Sequence, residues 1–223
     1  TAETCERVTG VAGSYARCRQ AIALLAERGV RLELKTMVLT LNSHELPSIR
    51  QIARDYNAPF RYDPAVHSRL DGDARPLSFR ITPEQIVALE RDDPERLEAW
   101  EEYCAQPRQQ PTAAHLMLCG AASSTCHVDS YGGLYPCMAG RWLRYDLRRG
   151  SLAEALNDFM PAVRRLSVTH NPTCWTCELR LLCRNCPAWA WREMGDPEAP
   201  EPFQCQLAHL RHRVLGLSPR VRT

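Results

Sequence analysis

The sequence lacks any apolar run long enough to cross a membrane. It contains no stretch of eighteen consecutive apolar residues, whereas a membrane-spanning helix needs about twenty. The first residues, Thr1 to Thr4, also lack a methionine and the basic segment followed by an apolar segment that marks a secretory signal. We therefore expect a soluble, cytoplasmic chain without a membrane partner, and we expect its true beginning to lie upstream of Thr1.

An excess of charge of one sign is also absent. The 28 Lys and Arg residues nearly balance the 26 Asp and Glu residues, which leaves a net charge of +2. A surface that holds nucleic acid must be basic enough to neutralise phosphates, so no nucleic-acid partner is predicted. The apolar fraction of 44% is ordinary for a globular protein, and 223 residues allow one large or two small domains.

Cysteine, by contrast, is abundant, because the chain has eleven. Disulfide frameworks favour short secreted domains, whereas paired CxxC spacings in a longer chain favour metal binding. Two such pairs, Cys174 with Cys177 and Cys183 with Cys186, place four thiols within thirteen residues in the order CxxC-x5-CxxC. This density exceeds what a small core needs, so these thiols are predicted to be metal ligands in a reducing cytoplasm.

The first 64 residues are predicted to be part of a parallel α/β layer. Apolar spacing predicts helices over 14–28 and 46–56, and β-forming runs predict strands over 31–41 and 59–63. Helix, strand, helix, strand is the repeat of a parallel sheet. Two strands cannot bury both faces of such a sheet, so further strands are expected upstream.

Two polar residues follow these strands. In parallel sheets chemistry collects at the carboxyl ends of the strands, which makes Asn42 and Asp63 candidate site residues. The alternative is structural. Asn42 would then cap the helix over 46–56, with Glu45 as its partner in a capping box, and Asp63 would only precede the turn at Pro64.

Residues 65–112 are predicted to be a helical connector. A polar stretch leads to a helix start at Thr82, which is followed by a proline at the first helical position. The helix is expected to continue to about Tyr103, with a break at Pro94. Its charges are interpreted as a solvated face.

Residues 113–223 are predicted to form a small, cysteine-rich α+β domain. Eight of the eleven cysteines lie in its last 105 residues. They are Cys119, Cys126, Cys137, Cys174, Cys177, Cys183, Cys186 and Cys205. Eight thiols divide into two sets of four, and four thiolates suit zinc or an iron–sulfur cluster because soft sulfur ligands favour these metals. The other three, Cys5, Cys18 and Cys104, have no thiol nearby and are interpreted as ordinary small side chains.

A hairpin is predicted between Cys126 and Cys137, because Gly132-Gly133 marks a turn between β-forming residues. With residues 130–133 as the loop, Cys126 lies directly opposite Cys137. Opposite Cβ atoms are then about 4.5–5.5 Å apart, near enough for one metal centre to take both thiols. The helix that begins at the Ser151 capping box is expected to carry no ligand and to face inward with Leu152, Leu156, Phe159 and Val163.

A structural zinc module is one interpretation of these thiols. A CxxC-x5-CxxC unit alone is compatible with a small zinc knuckle, and the chain would then be a non-catalytic interaction module. Against this, the motif lacks the His that many knuckles carry. A single knuckle also leaves four thiols without a role, namely Cys119, Cys126, Cys137 and Cys205.

The cysteine order in the last 105 residues resembles the SPASM extension of radical SAM enzymes. The pattern is twelve residues between Cys119 and Gly132, four between Gly132 and Cys137, a gap, CxxC-x5-C over 174–183, then Cys186, a gap and Cys205. The family usually has three residues between the cysteines that match Cys183 and Cys186, where this chain has two. Upstream, residues 1–14 resemble the segment after the fourth barrel strand of peptide-maturing members, and residues 34–42 resemble their fifth strand.

The resemblance implies an architecture and two metal centres. Residues 1–64 would be the C-terminal part of a radical SAM α/β barrel, and residues 113–223 a SPASM domain that binds two auxiliary 4Fe-4S clusters. The implied ligands of the first cluster, the first set below, are Cys119, Cys126, Cys137 and Cys186. Those of the other, the second set, are Cys174, Cys177, Cys183 and Cys205. Relatives often carry an aromatic residue at the position of Cys126.

The resemblance also implies the activity of a full-length parent. The family cleaves S-adenosylmethionine at a third 4Fe-4S cluster, held by a CxxxCxxC motif, and the resulting 5′-deoxyadenosyl radical removes a hydrogen from the substrate. This chain lacks that motif, so it is expected to be inactive alone. The implied substrate is a ribosomally made precursor peptide and the implied electron donor a flavodoxin or ferredoxin. Asn42 is expected near the S-adenosylmethionine pocket, and no catalytic residue is assigned.

Two other branches of the superfamily are distinguishable by sequence. Anaerobic sulfatase maturases carry an Asp directly after the cysteine that matches Cys137, where this chain has Met138, so that branch is not favoured. An enzyme acting on a sugar or another small metabolite is a further alternative. It would be favoured if no short precursor peptide is encoded beside the gene.

Overall fold

The computed structural model describes residues 1–109, 114–183, 185–219 and 221–222. The chain divides into two units, one of residues 1–67 with 74–82 and one of residues 68–73 with 83–223. Both combine helices with short strands, which confirms a mixed α/β chain. Within the described residues, no helix combines the length and the apolar character that crossing a membrane requires.

The elements of the first unit are α1 (Ala2–Thr9), α2 (Ser14–Glu27), β1 (Leu34–Met37), α3 (Leu46–Asp55) and β2 (Phe60–Asp63), with short 3-10 turns at Ser43–Glu45 and Arg75–Phe79. From α2 onward, helices and strands alternate, as predicted; α1 precedes them and was not predicted. β1 and β2 pair in parallel, with Leu34 opposite Phe60 and Met37 opposite Asp63. The predicted element order and the parallel pairing are therefore confirmed.

β1 ends at Met37, before the predicted end at Leu41. The Asn42 side chain accounts for this, because its Nδ2 donates to the carbonyl of Met37 at 2.9 Å and its Oδ1 accepts from the N–H of Leu39 at 2.8 Å. These bonds draw the chain into a turn. Asn42 makes no side-chain cap bond to a helix, and the residue before α3 is Glu45, so the predicted capping box is wrong.

The apolar residues of α2 are more exposed than predicted. α2 buries no residue fully, and Leu24 and Leu25 are 40% and 41% exposed. A two-stranded sheet offers little surface against which a helix can pack, so this face stays open. The buried apolar residues of the first unit lie elsewhere and include Val38, Ala53, Tyr62 and Ile81.

The second unit contains the helices of the predicted connector and the cysteine-rich segment, whereas residues 65–67 and 74–82 of the predicted connector belong to the first unit. Its elements are α4 (Pro83–Arg91), α5 (Pro94–Ala105), β3 (Arg108–Gln109), β4 (His127–Val128), β5 (Gly133–Tyr135), β6 (Tyr145–Asp146), α6 (Leu152–Glu154), α7 (Met160–Arg164), α8 (Thr173–Thr176), α9 (Arg180–Cys183), α10 (Pro187–Met194), α11 (Pro202–Leu215) and β7 (Val221–Arg222). β3 pairs in parallel with β7. The helix break at Pro94 is confirmed, and Asp93 caps α5 there.

β4 and β5 form the predicted hairpin, but its register differs from the predicted one by one residue. His127 lies opposite Tyr135, and the same register carried one step further sets Cys126 opposite Pro136. Cys126 therefore does not lie directly across from Cys137, and that prediction is wrong.

The Asp129 carboxylate accounts for the shorter loop. Its Oδ1 accepts from the N–H groups of Tyr131 and Gly133, at 2.9 and 2.8 Å, and so closes a three-residue loop over 130–132. Gly132 has a φ of +75°, the left-handed conformation that the last position of such a loop requires. The expected four-residue loop ignored this side-chain bond.

The helix after Ser151 has its predicted capping box, but a π-helical turn over Ala155–Phe159 interrupts it. A π turn holds an extra residue and so rotates the flanking residues relative to an ordinary helix. Leu152 and Leu156, predicted to face inward, are 51% and 47% exposed, whereas Val163 is buried as predicted.

Two apolar clusters support the cysteine-bearing segments. One surrounds the hairpin and includes Leu134 and Met160. The other joins α5, α9 and α11 through Cys104, Leu182 and Ala208. Cys104 thus lies in an apolar cluster, and α9 is fixed against α11.

Candidate metal centres

Four cysteines from three helices line one pocket. Cys174 lies in α8, Cys177 follows α8 directly, Cys183 ends α9 and Cys205 lies in the first turns of α11. These four are the predicted second set. The structure therefore brings all members of this set to the same pocket.

Local helix geometry positions these thiols. Cys174 and Cys177 are three residues apart, a spacing that sets two side chains on the same side of a helical turn. In α9, Leu182 is fully buried in the cluster that contains Ala208 of α11. This packing brings the end of α9 to the beginning of α11, where the fourth thiol lies.

Burial controls the acidity of the second set. Burial first, and then the like charges of Cys205, Cys174 and Cys177, raise the pKa of Cys183 to about 12. Burial likewise raises the pKa of Cys174 and of Cys205. Four thiolates therefore do not share this pocket without a cation, and a bound metal would stabilise them by its positive charge.

Three members of the first set also lie close enough to influence one another. Cys186 directly precedes α10; burial raises its pKa, and the charges of Cys119 and Cys137 add to the rise. The N–H groups of Trp189 and Ala188, in the first turn of α10, act in the opposite direction and lower this pKa. This thiol therefore has donors ready to stabilise a thiolate.

Cys126 is exposed, as Cys119 is. By the hairpin register it lies opposite Pro136. Cys137, by contrast, is partly buried, and its sulfur accepts a hydrogen bond from the N–H of Gly140 at 3.3 Å. The charges of Cys119 and Cys137 act on Cys186.

All eleven cysteines are free thiols, so no disulfide framework is present. Over residues 1–109, 114–183, 185–219 and 221–222, no group of three or more His, Cys, Asp and Glu side chains has an arrangement that could hold a metal ion as it stands. A metal centre in either set therefore requires the thiols to close around it. Such closure is expected where metal binding and folding are coupled.

Asp63 is the last residue of β2, and Asn42 lies in the turn after the neighbouring β1. Asn42 is 8% exposed, and both ends of its amide bind the backbone of the turn after β1. Asp63 accepts from Lys35 at 3.0 Å and from the N–H of Ala65 at 2.9 Å. Both side chains shape the chain that leaves a strand, and a contact of Asn42 with S-adenosylmethionine stays a prediction.

Sequence patterns for metal ligands do not identify two arginines that interact with the cysteines. Arg180 lines the pocket of the second set, and Arg192 interacts electrostatically with Cys186. Arginine has donors but no acceptor, so it is not a metal ligand and ligand patterns pass over it. The available signal is position, because Arg180 lies inside the CxxC-x5-CxxC segment and Arg192 lies in the helix that Cys186 precedes.

No protein-family model matches this chain. Comparison with curated proteins gives no significant match either. The functional argument therefore depends on the cysteine pattern and on the positions of the side chains described above.

Proposed function

We propose that this chain is the C-terminal portion of a radical SAM enzyme that modifies a ribosomally made peptide and carries two auxiliary 4Fe-4S clusters. The observation that carries the proposal is the pocket shared by Cys174, Cys177, Cys183 and Cys205. The first and last of these thiols come from different helices, far apart in sequence. The resemblance to the SPASM extension implies the same four residues as the ligands of one cluster.

The donor chemistry of the second set fits an iron–sulfur cluster. All four candidate ligands are thiols, the side chains that hold 4Fe-4S clusters. Leu179 and Ala208 line the same pocket and keep part of it apolar. When bound, such a cluster accepts or donates an electron. The chain's own contribution is to hold the four sulfurs and to limit their contact with water.

The first set supports a second cluster through the donors around its sulfurs. Cys137 accepts from the N–H of Gly140, and the N–H groups of the first turn of α10 lower the pKa of Cys186. Donors that point at a cysteine sulfur stabilise the thiolate and tune the potential of a cluster. Both sulfurs therefore have the surroundings that cluster ligands need.

The peptide substrate is proposed from the first unit. Residues 1–14 and 34–42 carry the resemblance to peptide-maturing enzymes, and the second of these segments contains β1. The proposed partners are a precursor peptide and a flavodoxin or ferredoxin as electron donor. The motif for the S-adenosylmethionine cluster is absent from these 223 residues, so this chain alone is proposed to be inactive.

Anaerobic reconstitution with iron and sulfide tests the metal assignment. About eight irons and eight sulfides per chain, with a broad brown absorption, are expected from two 4Fe-4S clusters. A colourless protein that binds about two zinc ions per chain would support the zinc module instead and overturn the proposal.

Cysteine variants test the division into two sets. Cys177→Ser is expected to lose about four irons per chain, one cluster's worth, and Cys137→Ser to lose the other four. Cys18→Ser serves as the control, because Cys18 is exposed and lies in the first unit. Iron loss in the control equal to that in the other variants would contradict the assignment.

A further inference from the structure

Two arginines in the second unit carry a buried nitrogen without a hydrogen-bond partner. They are Arg180 and Arg192, and the atoms are Nη2 and Nε respectively. Burial lowers the pKa of Arg180 to about 10 and also lowers the pKa of Arg192. A buried guanidinium nitrogen that is left unpaired costs free energy, so each atom needs an acceptor.

Arg180 is held rigidly beside the second set. Its guanidinium carbon lies 3.4 Å from the centroid of the Trp175 ring, and its Nη1 donates to the Trp175 carbonyl at 3.2 Å. The same side chain lines the pocket of the four thiols, and Cys174 attracts its charge. One side of the guanidinium is therefore fixed, and the unpaired Nη2 belongs to a side chain that lines the pocket of the second set.

Arg192 has the corresponding place beside the first set. It lies in α10, the helix that Cys186 precedes, and Cys186 attracts its charge. The adjacent Glu193 attracts this charge more strongly than Cys186 does, and one of its carboxylate oxygens also accepts from the indole N–H of Trp189. Each cysteine set therefore has one partly buried arginine of its own.

A buried arginine with a purely structural role looks different in this protein. Arg211 is 6% exposed, and both of its bonding nitrogens are paired with the Glu90 carboxylate. Arg180 and Arg192 lack such a pairing for the atoms named above. A thiol acts on the charge of each: Cys174 on that of Arg180, and Cys186, after Glu193, on that of Arg192. Asn185 and Glu201 line the pocket of Arg180 together with the thiols.

We propose that Arg180 and Arg192 each donate an N–H to sulfur of the cluster held by the neighbouring set and raise its reduction potential. The inference rests on the proposed function, since it needs clusters in both sets. A 4Fe-4S cluster bound by four thiolates is anionic, and reduction adds one more negative charge. A fixed positive charge and a donor stabilise the reduced state more than the oxidised state.

Redox titration of the reconstituted full chain, followed by electron paramagnetic resonance, tests this role. Arg180→Gln is expected to keep the iron content. It is expected to lower the equilibrium constant for reduction of one cluster about tenfold, which corresponds to the free energy of one hydrogen bond to a charged group. For a one-electron couple this is a fall of about 59 mV. Arg192→Gln is expected to shift the other cluster, and Arg213→Gln, which removes the same charge from an exposed position on α11, to shift neither.

The outcomes separate the two proposals. If the wild-type protein takes up no iron and sulfide on reconstitution, the proposed function itself is overturned. Full iron content with unchanged potentials in both glutamine variants overturns only the role of the arginines. If Arg180→Gln loses its cluster, Arg180→Lys is measured next. Retained iron and a potential near that of the wild type would support the proposed role of the positive charge. Iron loss would show that the site needs the stacking of Arg180 on Trp175 for its structure, and would overturn the proposal.

Discussion

Arg211 in α11 donates two hydrogen bonds to the Glu90 carboxylate in α4, from Nε at 2.8 Å and from Nη2 at 2.7 Å. Glu90 is 0% exposed and Arg211 is 6% exposed. Arg96 adds a second cation to Glu90 at 3.4 Å, and the Arg211 guanidinium lies over the Trp100 ring. Because α11 also carries Cys205, this pair holds one candidate ligand in place.

Glu90→Gln tests the energetic weight of that pair. The variant leaves the Arg211 charge buried without its partner, which destabilises proteins by about 3–5 kcal/mol. Urea unfolding of the metal-free chain is expected to show a correspondingly lower midpoint. Glu98→Gln, on the exposed side of α5, is the control, and an equal loss in both variants would contradict the assigned role.

Gly132→Ala tests the hairpin turn. A non-glycine residue at a φ of +75° is strained by about 1–2 kcal/mol, and the added Cβ would lie 3.0 Å from Cγ of Arg148. A lower thermal midpoint is therefore expected. Ser130→Ala, at an exposed position of the same loop, should leave the midpoint almost unchanged. Tolerance of alanine at 132 would argue against the three-residue loop.

Glu198 makes the second unit sensitive to acid. Burial alone raises its pKa, but the N–H groups of His170, Asn171 and Thr169 outweigh burial and hold the pKa at about 2. Since this folded-state value lies below the ordinary 4.5, the stabilisation is complete above about pH 4.5 and is lost as the pH falls towards 2. The segment concerned leads directly into α8.

The matching experiment compares urea midpoints across this pH window. Glu198→Gln is expected to lower the midpoint at pH 7. The difference from the wild type is expected to shrink as the pH falls from about 4.5 towards 2, where about half of the Glu198 side chains are protonated. Glu101→Gln, at an exposed position of α5, should follow the wild type throughout. A difference that persists unchanged at pH 2 would show that packing rather than charge is responsible.

A variant of Cys126 distinguishes the predicted hairpin register from the observed one. Because Cys126 lies opposite Pro136, Cys126→Ala is expected to lose less iron on reconstitution than Cys137→Ala. Iron and sulfide analysis of the two variants side by side is the measurement. Equal loss from both would show that the hairpin shifts register when a cluster binds.

Much of the fold could be predicted from sequence because its signals are local. The alternation of apolar residues predicts the helix–strand–helix–strand order, and the Ser151 capping box needs only residues within one turn. The errors arise where a side chain redirects the backbone. Asn42 ends β1 early and Asp129 shortens the hairpin loop, and apolar periodicity contains neither bond.

The candidate ligands could be predicted because residue type and spacing alone identify them. The spacing of thiols, read with the SPASM resemblance, predicts which four line the second pocket. Arg180 and Arg192 could not be found in this way, because their importance comes from burial beside sulfur. Burial depends on how α9, α10 and α11 pack, which a pattern of spacings does not describe.

One short segment contributes thiols to both sets. Cys183 lines the pocket of the second set, and Cys186, three positions later, interacts with Cys119 and Cys137 of the first set. A growing chain on the ribosome completes neither set until this segment has emerged, and the second set also waits for Cys205. The earlier thiols are meanwhile open to oxidation. Under the proposed function, loading of the clusters is consequently a late event, and oxygen present during synthesis would oxidise their ligands before it.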